Sequence, residues 1–259
     1  MYPKAILFDM GLYEILLVLG FFCALLYFRL FADRIGFGAR MQNLCIFCAL
    51  AALMGGYLAA VLTQALYNGL ESGEFAVTKT TGATFYGGLV GGAGLFIAVY
   101  FLAGRFLLKK GETVKNFMPL SEIAAGSIAV AHGLGRLGCL FAGCCHGAIT
   151  DAWYGIYHAH LQAKAVPVQL FEAIFLFCLF GYLTWRLVKG KHYNLAIYLM
   201  TYAVWRFFIE YLRDDHRGET FVRFLSPSQL TAVLLFALGA FILGLELYVR
   251  KRGERRHEA

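Results

Sequence analysis

The hydrophobic pattern divides the chain into seven long apolar stretches separated by short polar segments. About 20 apolar residues in a helix cross the hydrocarbon core of a bilayer, so each stretch predicts a membrane-spanning helix. Six of the predicted spans are residues 11–31, 44–67, 83–104, 168–187, 195–212 and 228–249, and the fourth in order starts near residue 118 and ends in a cysteine-rich stretch. We therefore expect an all-α polytopic membrane protein: one transmembrane domain, residues 1–259, ending in a basic cytoplasmic tail, residues 250–259.

Composition agrees with this pattern. Hydrophobic residues make up 60% of the chain, charged residues 15%, and the mean hydropathy is +0.64, which lies outside the range of soluble domains. The first apolar stretch is too long for a cleavable signal peptide and lacks a small-residue cleavage site, so we expect it to remain as a helix. Basic residues stand in short clusters between apolar stretches, which indicates membrane topology and no nucleic-acid partner.

The distribution of basic residues also predicts the orientation. One set of loops, together with the tail, carries 15 Lys and Arg residues. The other set carries six: Lys4, Lys79, Lys164, Arg213, Arg217 and Arg223. Cytoplasmic loops are enriched in Lys and Arg, so we expect an external N-terminus, a cytoplasmic C-terminus and an outward-facing end of the fourth span.

The segment from His132 to Gly147 concentrates polar chemistry in an apolar chain. Arg136 lies near the end of an apolar stretch, and a guanidinium at membrane depth costs several kcal/mol unless an anion, a partner or a wet cavity compensates for it. Five glycines in the same segment let the backbone unwind and allow a ligand to approach closely. A functional role is therefore the first interpretation of Arg136.

A second intramembrane arginine lies in the sixth span. Tyr202, Arg206 and Glu210 are spaced i, i+4, i+8, which puts them on one stripe of a helix. Arg206 and Glu210 could simply neutralise each other and join two helices. Because Arg136 has no obvious partner nearby in sequence, the two arginines together favour an anionic ligand such as phosphate, which guanidinium binds as a bidentate fork.

Three further motifs have structural interpretations beside functional ones. Glycines after Tyr86 at the start of the third span serve close helix packing in many membrane proteins. Pro167, Gln169 and Glu172 fit the first turn of a helix, where a carboxylate is favoured by the helix dipole. Ser226 to Gln229 fits a helix cap.

The seven cysteines fall into two groups. Cys23, Cys45, Cys48 and Cys178 lie inside apolar spans and are most simply small core residues. The second group lies after Arg136 and consists of Cys139, Cys144 and Cys145, which His146 follows. The first interpretation is that these cysteines are small residues beside a functional arginine. A metal site and redox-active or disulfide-bonded thiols are the alternatives, although the spacing is not that of the usual zinc modules.

The chain resembles the bacterial prolipoprotein diacylglyceryl transferases, and the resemblance runs from the first span to the seventh in the family's order. The matching motifs are Tyr13 before Gly20, Gly55-Gly56, Tyr86-Gly-Gly-Leu89, Gly135-Arg-Leu-Gly138 with Gly143 and Gly147, Pro167-x-Gln169-x-x-Glu172, Tyr202-x3-Arg206-x3-Glu210 with Arg213, and Ser226-x-x-Gln229.

The resemblance implies transfer of a diacylglyceryl group from phosphatidylglycerol to the lipobox cysteine of a prolipoprotein in the bacterial inner membrane, with glycerol phosphate released. Membrane lipid and the lipobox peptide are then the expected partners, and no cofactor or metal is expected. The implied catalytic residues are Arg136, Arg206, Glu210 and Tyr86. The implied substrate-binding residues are Tyr13, Tyr202, Gly87, Gly88, Gly138, Cys139, Cys144, Gly147, Gln169, Glu172 and Arg213.

This chain departs from the family's pattern at several of these positions. Typical members have His at Tyr86, Asn at Cys139, a carboxylate at Cys144 and Arg at Tyr57. A tyrosine with a pKa near 10 is a poor general base at neutral pH, so His146 and His132 are alternative candidates. The alternative functions are transfer to a different thiol or small acceptor, a non-catalytic lipid-binding relative, and a membrane thiol or metal protein that uses Cys139, Cys144 and Cys145.

Overall fold

The computed structural model describes residues 10–73, 75–78, 81–213 and 224–258, with side chains described as far as residue 252 except for residue 71. Four of the basic residues that enter the topology count lie outside the described residues, namely Lys4, Lys79, Arg217 and Arg223. Side chains of the basic tail beyond residue 252 also lie outside them.

Seven helices within the described residues are long and apolar enough to cross a membrane, which confirms the predicted number. They are α1 (Leu12–Arg34), α2 (Ala39–Ser72), α3 (Phe85–Leu107), α4 (Glu112–Ala142), α5 (Val168–Val188), α6 (Asn194–Ile209), which continues into a 3₁₀ turn (Glu210–Leu212), and α7 (Pro227–Glu258). Several helices extend beyond the apolar stretches that predict them, because polar residues at helix ends do not register as membrane-spanning sequence.

A short hairpin that the sequence analysis did not predict lies between α4 and α5. Its strands β1 (Ile156–His158) and β2 (Ala163–Ala165) pair antiparallel, with Ile156 opposite Ala165 and His158 opposite Ala163. Strands of three residues are too short to show the alternation of apolar and polar positions by which strands are recognised.

The chain divides into two compact units, residues 1–31 with 118–259 and residues 32–117. In the first unit, buried residues of α4, α5 and α6 form an apolar core: Ala125, Ala129, Leu176, Leu179, Leu183, Tyr198 and Tyr202. The buried positions of α5 recur every three or four residues, so one face of this helix packs inward. Cys178 lies off that face and is exposed, so its predicted place in a core is wrong, whereas Cys45 and Cys48 are buried as expected.

In the second unit, glycines let α2 and α3 pack backbone against backbone. A Cβ atom at Gly56 would lie 3.0 Å from the Gly88 carbonyl oxygen, and one at Gly88 would lie 3.2 Å from the Ala60 Cβ. A Cβ atom at Gly87 would lie 2.4 Å from the Thr63 hydroxyl oxygen. The packing interpretation of Gly87 and Gly88 therefore agrees with their contacts.

Substituting Gly56 with valine should destabilise the protein by about 1–3 kcal/mol, the usual cost of overpacking, because the new Cβ would press on the Gly88 carbonyl. Thermal unfolding of the detergent-purified protein measures the effect. Gly94→Val is the matched control, since no atom lies within 4 Å of a Cβ built at Gly94. Equal melting temperatures for the two variants would contradict close packing of α2 on α3.

Candidate functional site

Arg136 on α4 has a partner that its neighbourhood in sequence does not reveal. Its Nε atom lies 3.0 Å from Oε2 of Glu172, near the start of α5. The Glu172 side chain is 1% exposed and that of Arg136 is 17% exposed. The carboxylate therefore offsets part of the cost of a guanidinium in an apolar environment, while Arg136 keeps some accessible surface.

Glu172 also connects α5 to α6. The hydroxyl of Tyr202 donates a hydrogen bond of 2.7 Å to Oε1 of Glu172, so one carboxylate binds Arg136 with one oxygen and Tyr202 with the other. Three helices thus meet at one buried carboxylate. The helix dipole alone favours a carboxylate at the start of α5, and these two partners add contacts that the sequence does not reveal.

Arg206 and Glu210 form the second charged pair, as their spacing predicts. Nη2 of Arg206 lies 2.8 Å from Oε2 of Glu210, and the same nitrogen donates to the Ser228 hydroxyl at 2.7 Å. The Ser226 hydroxyl donates to Oε1 of Glu210 at 2.9 Å. Ser228 was not predicted as a partner, because nothing in the sequence brings the start of α7 beside the sixth span.

The cap predicted at Ser226 to Gln229 is confirmed. The Ser226 backbone N–H donates to the Gln229 side-chain oxygen at 3.1 Å, and the Gln229 backbone N–H donates to the Ser226 hydroxyl oxygen at 3.2 Å. This reciprocal pair is a capping box at the start of α7. It fixes the hydroxyl that binds Glu210.

A third arginine lies beside the second carboxylate. The guanidinium of Arg213 lies 3.9 Å from Glu210, so three arginines share two carboxylates, Glu172 and Glu210. Nη1 of Arg206 is buried and has no hydrogen-bond partner among the described residues. A buried guanidinium nitrogen with donors to spare suits an anionic ligand.

Two glycines of the predicted site allow close approaches of neighbouring chain segments. A Cβ atom at Gly138 would lie 3.1 Å from the Tyr13 ring, so Gly138 lets Tyr13 of α1 pack directly against α4. A Cβ atom at Gly147 would lie 2.4 Å from the Leu212 carbonyl oxygen, which excludes a side chain there. The Gly147 backbone N–H donates to the Val166 carbonyl at 2.8 Å.

The three cysteines after Arg136 converge. The sulfur atoms of Cys139, Cys144 and Cys145 all lie within 4.8 Å of one another, and all three thiols are free. Hydrogen bonds with the other two thiols, together with the nearby Arg213 and Arg136, hold the pKa of Cys145 well below its usual range. The side-chain amide of Gln169 donates to the Cys144 carbonyl and fixes the turn from α5.

Neither candidate histidine is free of structural contacts. A ring nitrogen of His132 lies 3.0 Å from the Tyr198 hydroxyl, and the ring packs edge-on against Tyr202. Nδ1 of His146 lies 2.9 Å from the Gly147 carbonyl oxygen. The His146 ring also packs against His158 and His160, a cluster that the sequence analysis missed because it depends on the hairpin.

The first turn of α3, in the second unit, contains Tyr86, Gly87 and Gly88. The Tyr86 side chain is 38% exposed and its ring contacts that of Phe85. The catalytic role of Tyr86 and the substrate-binding role of the two glycines remain predictions.

The fold and the site together define a class of protein: a multi-pass membrane protein with a buried cluster of arginines and carboxylates. The sequence profile of the prolipoprotein diacylglyceryl transferase family matches residues 4–245. The chain belongs to this family and is a membrane transferase, which confirms the resemblance seen in its motifs.

Named relatives cover almost the whole chain. The phosphatidylglycerol–prolipoprotein diacylglyceryl transferase 2 of Clostridium perfringens is 30% identical over 243 residues, which span 90% of each chain. The enzyme of the same name from Clostridium tetani is 28% identical over 258 residues, 95% of this chain and 98% of the relative. That from Rickettsia canadensis is 27% identical over 243 residues, 89% and 88% of the two chains.

Replacing Glu172 with glutamine should destabilise the protein by about 3 kcal/mol, because Arg136 keeps its charge and loses its partner. Replacing Tyr202 with phenylalanine removes one hydrogen bond and should cost about 1 kcal/mol. Thermal unfolding in detergent measures both. If Glu172→Gln cost no more than Tyr202→Phe, the ion pair would not be what stabilises this junction.

Proposed function

We propose that this protein transfers a diacylglyceryl group from phosphatidylglycerol to the lipobox cysteine thiol of a prolipoprotein in the bacterial inner membrane, releasing glycerol phosphate. Family membership and the substrates in the relatives' names support the proposal. The single observation that carries it is the buried cluster of arginines and carboxylates in an apolar chain, in which Nη1 of Arg206 has no hydrogen-bond partner among the described residues.

The reaction needs cations beside the phosphate. The acceptor sulfur attacks the glycerol carbon that carries the phosphate, so a carbon–sulfur bond forms and a carbon–oxygen bond breaks. The electron pair of the broken bond goes to the phosphate oxygen, and the thiol proton leaves to solvent or to a base. A phosphodiester with one negative charge thereby becomes a phosphate monoester with more negative charge. Cations that bind the phosphate therefore attract it more strongly as the bond breaks.

In this proposal Arg206 and Arg136 hold the phosphate. Arg206 offers its unpartnered Nη1, and Arg136 offers the part of its side chain that remains accessible. Glu210 and Glu172 orient the two guanidinium planes, so that their donors do not have to reorganise during the reaction. Arg213, beside Glu210, adds to the positive field.

The remaining residues of the set bind and shape the substrates. The hydroxyl of Tyr13 is a hydrogen-bond donor for the headgroup. The hydroxyl of Tyr202 already donates to Glu172, so Tyr202 offers its oxygen to the headgroup as an acceptor and holds the carboxylate that binds Arg136. Other members from the first unit line or shape the site: Gly138, Gly147, Gln169, Cys139 and Cys144. Gly87 and Gly88 are assigned to substrate binding by the family resemblance alone.

The acceptor thiol must lose its proton, since a pKa near 8.5 leaves only a few per cent of thiolate at neutral pH. Tyr86 is assigned to the catalytic set by the family resemblance alone. The contacts of His132 with Tyr198 and of His146 with Gly147 favour structural roles for these two histidines.

Changing either Arg136 or Arg206 to alanine should lower phosphatidylglycerol-dependent transfer by about 10²–10³-fold or more, because each removes a cation from the developing phosphate charge. Arg206→Lys should also lose most activity, since an ammonium does not reproduce the planar fork. Release of glycerol phosphate, with a lipobox peptide as acceptor, measures the reaction.

Arg105→Ala is the control for these substitutions, because Arg105 is an exposed basic residue near the end of α3. Full turnover in both alanine variants would refute the phosphate clamp. Near-normal turnover in Arg206→Lys alone would show that Arg206 acts through its charge and not through its geometry.

The proposal includes an external N-terminus and a cytoplasmic C-terminus. A periplasm-active reporter fused at residue 1 and a cytoplasm-active reporter fused after residue 259 should therefore both be active, and the exchanged fusions should be inactive. The opposite pattern would place the thiols and the hairpin on the cytoplasmic side, away from exported prolipoproteins.

A further inference from the structure

The three thiols that follow Arg136 are close enough together to bind one ion. Metal–thiolate bonds of about 2.3 Å place sulfur atoms about 3.8 Å apart around a tetrahedral ion and about 4.0 Å apart in a trigonal plane. The sulfur atoms of Cys139, Cys144 and Cys145 all lie within 4.8 Å of one another. Small side-chain rotations would therefore bring all three to bonding distance.

The backbone holds the turn that brings the thiols together. The Cys144 backbone N–H donates to the Cys139 carbonyl oxygen at 3.2 Å, which folds the chain back at the end of α4. Gly143 has a positive φ of 78°, and Cys145 has a φ of 61°, which is unfavourable for a residue with a side chain. Gln169 binds the Cys144 carbonyl from α5. Backbone strain that the surrounding structure maintains is typical of functional sites.

Access and charge also fit a metal site. Cys144 is exposed and the other two thiols are partly exposed, so an ion can reach all three. Three thiolates carry more negative charge than one divalent ion neutralises. Arg136 lies three residues before Cys139 on the same face of α4, and both Arg136 and Arg213 interact electrostatically with Cys145.

We propose that Cys139, Cys144 and Cys145 bind one thiophilic metal ion, Zn²⁺ in the first instance, through three thiolates, and that the fourth coordination position takes the acceptor thiol. Soft thiolate ligands select ions of this class. Three protein ligands and one open position are also the arrangement of catalytic zinc sites. The assignment of the fourth ligand rests on the proposed transferase function; the three-thiolate site does not.

Binding of the ion displaces the thiol protons. Each of the three cysteines releases its proton to solvent when its sulfur binds the ion. The acceptor thiol does the same, because a thiol bound to such an ion is present as thiolate. The acceptor thiolate, which is the nucleophile, would thus form beside Arg136 without a side chain that acts as general base.

Co²⁺ titration tests the site, because each thiolate bond to cobalt adds a sulfur-to-metal absorption band and the visible bands distinguish tetrahedral from octahedral geometry. The full-length protein is purified with a tag that contains no histidine, then reduced and kept anaerobic. The reference variant has Cys23, Cys45, Cys48 and Cys178 changed to alanine, so that only the three clustered thiols remain.

The reference variant should bind one equivalent of Co²⁺ with a tetrahedral spectrum, and Zn²⁺ should displace it. Changing any one of the three clustered cysteines to serine should weaken binding by at least the roughly 10-fold loss that follows removal of an outer-shell partner. His146→Ala should leave the sulfur band in place. The metal site would be overturned by absence of the band or by its persistence after all three cysteines are changed to serine. Recovery of two of the three thiols as a disulfide despite reduction would also overturn it.

Adding a lipobox peptide should increase the sulfur band, whereas the same peptide with serine for cysteine should not change it. An unchanged band with the cysteine peptide would overturn the fourth-ligand assignment. Release of glycerol phosphate is measured on the same samples. Turnover that is equal in the triple serine variant and in the reference variant would refute the role in transfer while leaving the proposed function intact. Normal cobalt binding by a wild-type protein with no turnover would refute the proposed function and leave the three-thiolate site standing.

Discussion

The structure of the first unit depends on how a charged carboxylate is compensated inside an apolar chain. Glu172 is almost completely buried and binds Arg136 of α4 and Tyr202 of α6 from its place on α5. Removing any one of the three leaves a buried polar group without its partner, which is costly where water cannot replace it. The same requirement that holds the helices together also holds Arg136 in one orientation.

A second junction repeats this principle with a different set of groups. Glu210 binds Arg206 from its own helix and Ser226 from the start of α7, and Ser228 completes the contacts of Arg206. Each arginine is therefore fixed by a carboxylate that is itself held by a hydroxyl group. Pre-organised donors of this kind are what stabilise charge that develops during a reaction.

Much of this could be predicted from the sequence, because its signals are local. Apolar length gives the seven helices, spacing of four residues gives the Arg206–Glu210 pair, and the order of Ser226 and Gln229 gives the cap. The Arg136–Glu172 pair joins residues far apart in sequence, so no local pattern reveals it. Convergence of the thiols depends on one turn after α4, and the orientation of Cys178 depends on which face of α5 packs inward.

Glu210 bears on how much the length of the chain between α6 and α7 can change. Arg213 and Ser226 both contact this carboxylate, so Glu210 holds the chain at two points that are well separated in sequence. For a loop whose two ends are fixed in this way, doubling its length costs only about 0.6 kcal/mol. A change in the number of residues between these two points should therefore cost little stability and leave Arg206 in position, because Glu210 still binds both.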